Sequence, residues 1–148
     1  MSAGRPRFVV CEDGSEYVER FRRFLGDAFD FLPAQDWAEA RAAAAGAAGV
    51  LLDLDFRRTP PERLVDERGP APTPLDAGTR ARLAETQGIL ILRQLRVAGV
   101  ACPAILFADF DDAEQRGFLE TTLAPLTIAG SRLGLAEIAT LLRAAARA

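Results

Sequence analysis

Five acidic positions stand where apolar runs stop: Glu12 and Asp13 after "FVVC", Asp53 and Asp55 in "VLLDLDF", and Asp109 after "PAILFA". A buried strand has no inexpensive way to hold an ionised carboxylate, so such charges must be met where the run ends. If these runs lie side by side, Glu12, Asp13 and Asp53 converge. Two carboxylates about 4 Å apart repel by roughly 4 kcal/mol at an effective dielectric of 20. A group of this kind needs a cation, an arginine or a raised pKa. Mg²⁺ suits it best by ligand type, because that ion takes a few carboxylates, a carbonyl and retained waters in an octahedron. A divalent ion beside a free carboxylate oxygen is also a setting for phosphoryl transfer, since it neutralises charge on the moving group.

The basic residues narrow this chemistry. All 18 are arginine, and the 148-residue chain holds neither lysine nor histidine. Lysine contacts to phosphate, histidine general bases and histidine metal ligands are therefore excluded. The 21 acids set against those arginines argue against a nucleic-acid or membrane-surface binder. Cys11 and Cys102 lie in strand-like apolar runs and read as small buried thiols, not as a disulfide frame. No stretch approaches the roughly 18 consecutive apolar residues of a spanning helix. The opening "MSAGRPRF" lacks the apolar core of a signal peptide, so a cytoplasmic location is expected. The length, with 49% hydrophobic and 26% charged residues, predicts one globular domain over residues 1–148.

The acids need elements that deliver them to one place. Phe8–Cys11 predicts a strand, followed by a helix in which Tyr17, Val18, Phe21, Phe24 and Leu25 recur at helical spacing, with Ser15 as N-cap. "AFDFL" (28–32) alternates as a second strand, and residues 36–49 read as an alanine-rich helix closed by glycine. Val50–Phe56 predicts a third strand, apolar on both faces up to Asp53, as a central parallel strand requires. A helix over 88–99, a strand over 102–108, a helix over 111–122, a strand over 126–130 and a closing helix follow. Strand and helix alternate five times, which predicts a parallel sheet covered by helices on both faces. In open sheets of this kind, function gathers at the carboxyl ends of the strands.

The landmarks "VVCEDGSEYVERF", "VLLDLDF", "GILILRQLR" and "PAILFAD", in that order, resemble the response-regulator receiver family over nearly the whole chain. The resemblance implies a flavodoxin-like (βα)₅ three-layer sandwich with a five-stranded parallel sheet. It implies Mg²⁺ held by Glu12, Asp13, Asp53 and the backbone carbonyl of Asp55. It also makes Asp53 the acceptor of a phosphoryl group from a sensor histidine kinase. Three positions depart from the family pattern. Ala108 stands where receivers place Ser or Thr, Ser131 followed by Arg132 stands at their lysine, and Ile128 replaces the aromatic switch residue.

Asp53 and Gly88 lie 35 positions apart, far more than a receiver places between these landmarks. The added segment, residues 57–87, holds five prolines and no regular strand, with one or two helical turns expected near "DAGTRARLAETQ". A connection this long in a compact domain is usually functional or disordered. It leaves the sheet beside the acids, so it is read as a lid or docking arm. Arg57 and Arg58 are its candidate substitutes for the missing lysine.

The expected function is that of a receiver-like two-component signalling protein, not a turnover enzyme, whose phosphorylated form shifts a surface around strands four and five. Output is expected through a kinase, a downstream effector or a second copy of the chain, with no DNA-binding extension after the last helix. The alternative is a pseudo-receiver that works as an interaction scaffold without phosphorylation. "VLLDLDF" also resembles the DxD signature of haloacid-dehalogenase-like phosphatases, with Asp53 as nucleophile, Asp55 as acid/base and "FADFDD" as later metal site. That family, however, places the signature on its first strand and uses a lysine. Asp109, Asp111 and Asp112 read otherwise as helix-capping acids, and Arg20, Arg22 and Arg23 as an exposed helix face.

Overall fold

In the computed structural model, which describes residues 4–148, strand and helix alternate along the chain. Met1–Ala3, the start of the stretch read for a leader, lie outside the described residues. The strands are β1 (Arg7–Cys11), β2 (Asp30–Ala34), β3 (Gly49–Asp53), β4 (Ala104–Phe107) and β5 (Leu126–Ala129). The helices are α1 (Glu16–Leu25), α2 (Trp37–Ala43), α3 (Ala77–Glu85), α4 (Gln87–Val97), α5 (Ala113–Thr122) and α6 (Leu135–Ala146). All strand pairs are parallel, in the order β2-β1-β3-β4-β5. This is the expected flavodoxin-like sheet with one extra helix, α3, contributed by the long connection.

The period-2 alternation of the strands splits the core in two. Val9, Cys11, Val50, Leu52, Ala104 and Leu106 face one side, where α2, α4 and α5 cover them. Phe8, Val10, Leu51 and Ile105 face the other, packed against Val18 and Phe21 of α1 and Ile138, Ala139 and Leu142 of α6. Phe8, Phe21, Phe29 and Phe31 interlock on that second face, with ring centroids 5.6–6.4 Å apart.

Several boundaries differ from the sequence reading, each for a local reason. The second strand starts at Asp30 and not at Ala28, because the Ala28 and Phe29 amides still donate to the Leu25 carbonyl and close α1. It also runs through Pro33, which an edge strand tolerates. The alanine-rich helix stops at Ala43, before a turn in which Gly46 takes φ 75°. The third strand ends at Asp53 and not at Phe56. There the Phe56 amide donates to Ala84 and the Leu54 carbonyl accepts from Gly88, drawing the chain off the sheet. Ser15 occupies the N-cap position of α1, yet its side chain makes no capping bond.

The segment over 57–87 is ordered and forms part of one helical layer. It carries a 3-10 turn (Pro61–Arg63), an antiparallel bridge between Val65 and Pro70, and α3, longer than the one or two turns expected. Leu64, Val65, Ala71 and Leu83 are buried with the apolar residues of α2 and α4. Fully buried Gln87 clamps the segment by completing both hydrogen bonds of one peptide residue. Its Oε1 accepts from the Val65 amide at 2.8 Å, and its Nε2 donates to the Val65 and Leu83 carbonyls at 3.0 and 3.1 Å. Arg63 ties the same segment to α2 by donating to Asp36 at 2.6 Å.

Candidate functional site

The parallel register sets Cys11 against Leu52, which brings Glu12 level with Asp53 at the carboxyl ends of β1 and β3. In a sheet of order 2-1-3-4-5 these two strands flank the point where the winding reverses. Glu12, 3% exposed, turns back to α1. Its two oxygens accept from the Tyr17 and Val18 amides at 3.1 and 2.9 Å. It thereby caps the helix in place of Ser15, and its negative charge suits that helix end. Burial nonetheless holds its pKa above the usual carboxylate value, ahead of the opposing effect of the two amides.

Asp13 has a side chain only 6% exposed, and Arg58 takes both of its oxygens. The Arg58 guanidinium donates to Oδ1 at 2.9 Å, and the Arg58 backbone N–H donates to Oδ2 at 2.9 Å. A second guanidinium nitrogen meets Glu16 at 2.8 Å. Gly14 makes room for this arrangement, since a Cβ there would stand 2.5 Å from Nη2 of Arg58. Arg57 turns the other way and pairs with Asp55 at 2.7 Å, while the Arg57 backbone N–H also donates to the Asp55 carboxylate. Both arginines thus fold onto acids, but onto Asp13 and Asp55, and not onto Asp53.

Asp53 ends β3 half-buried, its Oδ1 accepting from the next amide, that of Leu54, at 2.9 Å. No cation pairs with it among the described residues. Burial raises its pKa to about 6, and the charges of Asp13, Glu12 and Asp55 push in the same direction. Gly88, at the start of α4, lets that helix approach closely, because a Cβ there would run into the Asp53 carbonyl oxygen.

These donors do not fit a hydrated Mg²⁺ as they are arranged. Both oxygens of Glu12 serve backbone amides, both of Asp13 serve Arg58, and the Asp55 carboxylate serves Arg57. Among the described residues no group of three or more Asp, Glu or Cys side chains is placed to hold a metal ion. Of the expected set, Glu12, Asp13 and Asp53 are brought together at the strand ends, with the oxygens of Glu12 and Asp13 engaged by backbone amides and by Arg58.

On the far side of Asp53 a groove of about 290 Å³ opens between β4, β5 and α1. Tyr17, Arg20, Ala108 and Ser131 line it along with Asp53. Tyr17 stacks on Phe107 at 4.9 Å and forms part of the wall. Ala108 offers no hydroxyl to the groove. The Ser131 amide donates to Asp109 at 2.9 Å, and this holds the Asp109 pKa below its ordinary value. Arg132 is exposed and forms no salt bridge among the described residues. Ile128 is half-buried and packs against the α2/α4 core. Asp112 caps α5, accepting from the Glu114 and Gln115 amides.

Glu16 and Gly14 also belong to this neighbourhood, and Arg20, read from the sequence as part of an exposed helix face, lines the groove. Gly14 and Glu16 adjoin the acidic pair, so their position alone was the available signal. Arg58 was marked, but its partner lies 45 positions away and nothing local names it.

No protein-family model matches the sequence, and no curated protein matches it. Solved structures do. The Francisella response regulator 1452 receiver domain superposes with TM-score 0.65 at 15% identity, over 97% of this chain and 98% of that one. The BeF3-activated N-terminal receiver domain of Klebsiella pneumoniae RstA gives 0.63 at 18% identity, covering 96% and 99%. Vibrio cholerae chemotaxis protein CheY4 gives 0.65 at 12% identity, again over 96% and 99%. With the sheet order, the acids at the tips of β1 and β3 and these superpositions in agreement, the chain has the fold of the response-regulator receiver domains.

Proposed function

We propose that the protein is a receiver-fold interaction module of a two-component signalling system, acting through protein contacts without phosphorylation of Asp53. One arrangement carries this reading: among the described residues no cation pairs with Asp53, and the groove beside it offers Ala108 where a phosphoryl oxygen would need a hydroxyl donor. An acyl phosphate on Asp53 would carry about two negative charges in place of the carboxylate's one, beside Glu12 and Asp13. Glu12 and Asp13 oppose that charge, and Arg20, the cation that lines the groove, makes no ion pair with Asp53. Signalling then depends on a surface held in one state, read by a kinase, an effector or a second copy of the chain.

The phosphoacceptor reading has one observation in its favour, the half-buried Asp53 carboxylate beside an open groove. Intact-mass measurement after incubation with acetyl phosphate and Mg²⁺ separates the two. The interaction module predicts no added phosphoryl mass on the wild type. An added phosphoryl group that is absent from Asp53→Asn contradicts it.

A further inference from the structure

We infer that Arg58 is the resident cation of the acidic pocket, a guanidinium carried in by the long connection that takes the place of a divalent metal and keeps one out. Three features of the structure support it. First, the guanidinium and its own backbone N–H satisfy both oxygens of Asp13, in bonds of 2.9 Å each. Second, the side chain of Asp13 is 6% exposed with Arg58 in place, so a competing ion must displace the arginine to reach it. Third, the seat fits the guanidinium: Gly14 leaves space where a Cβ would collide with Nη2, and Glu16 holds the outer nitrogen at 2.8 Å.

The physical logic is competition between a tethered and a free cation. Arg58 follows closely on β3 and its turn, and Phe56 two residues earlier is fully buried, so the backbone holds the guanidinium within reach of Asp13. A tethered group acts at a high effective concentration, whereas a free ion pays for its own immobilisation and for lost hydration water. A guanidinium donates only hydrogen bonds and cannot organise carboxylates in an octahedron. Glu12 is thereby left free to cap α1, and Asp53 makes no ion pair among the described residues.

Arg58 can hold this place only in a pocket of the kind proposed above, yet the outcomes separate. Phosphorylation of wild-type Asp53 overturns the interaction module, whereas the metal affinities below decide the Arg58 assignment.

The test is titration of the full chain with Mg²⁺, followed by the backbone amide NMR shifts of Asp13, Asp53 and Leu54, in wild type, Arg58→Ala and Arg58→Gln. The Arg58 side chain is 58% exposed, so its removal leaves the core intact, and the glutamine variant keeps a polar chain of similar reach. Loss of charge-assisted bonds to Asp13 predicts Mg²⁺ binding about tenfold or more tighter in both variants than in wild type. Adding Asp13→Asn to either variant abolishes that gain. Equal affinity in wild type and variants overturns the assignment, as does a gain that survives Asp13→Asn.

Discussion

At the scale of single residues, Asp53 brings a pH dependence to the pocket. Burial raises its pKa from 3.8 to about 6, with Asp13, Glu12 and Asp55 adding repulsion. The folded carboxyl therefore binds its proton more tightly than the unfolded one. Its favourable contribution is complete below about pH 3.8 and is lost as the pH rises through about 6. Asp53→Asn removes this titration. In metal-free buffer near pH 8, the variant is expected to be more stable than wild type by about 1–2 kcal/mol, discounted for partial solvent screening. Urea denaturation near pH 8 and near pH 4 checks it, since the difference should shrink at the lower value. A gap that does not change with pH would mean that the Asp53 carboxylate is not held at a cost. The acids themselves were legible, because Glu12, Asp13 and Asp53 fall where apolar runs end. The destination of each oxygen was not, since Glu12 could cap α1 or face an ion with the same local sequence.

At the scale of elements, the connection between β3 and α4 is long and carries a helix of its own, α3. Side-chain bonds that fasten it include Arg58 on Asp13, Arg63 on Asp36, Gln87 on Val65, and Gln94 on the Asp66 and Glu67 carbonyls. Gln87→Ala would strand the Val65 amide and carbonyl away from water, at a cost of about 2–3 kcal/mol. Leu64→Ala would open a void among α2, α4 and the connection, at a cost of about 2–5 kcal/mol. Chemical denaturation measures both, and hydrogen exchange at the Val65 amide should accelerate in Gln87→Ala. If neither variant loses stability, the connection is not part of the core. The sequence showed five prolines and no alternation here, which reads as irregular chain. Leu64, Val65, Ala71 and Leu83 are buried without any period that a helix or strand would impose, and Gln87 looks like an ordinary helix residue. Order in this segment comes from long-range packing, so local patterns could not reveal it.

At the scale of the whole molecule, the sheet was legible because its strands alternate between two cores and its helices carry one apolar face each. The strands pair in parallel in the order β2-β1-β3-β4-β5. That fold delivers acids to the crevice between β1 and β3, and in this chain the same crevice receives an arginine. A switching receiver needs charge at Asp53 to be felt at β4 and β5. Here Ala108 and Ile128 give that charge neither a hydroxyl to pull nor an aromatic ring to turn. The measurement that bears most directly on this claim is the amide NMR spectrum of the wild type before and after beryllofluoride and Mg²⁺. The account predicts unchanged amides over Ala104–Ala108 and Leu126–Ser131. Shifts across those residues that vanish in Asp53→Asn would contradict it.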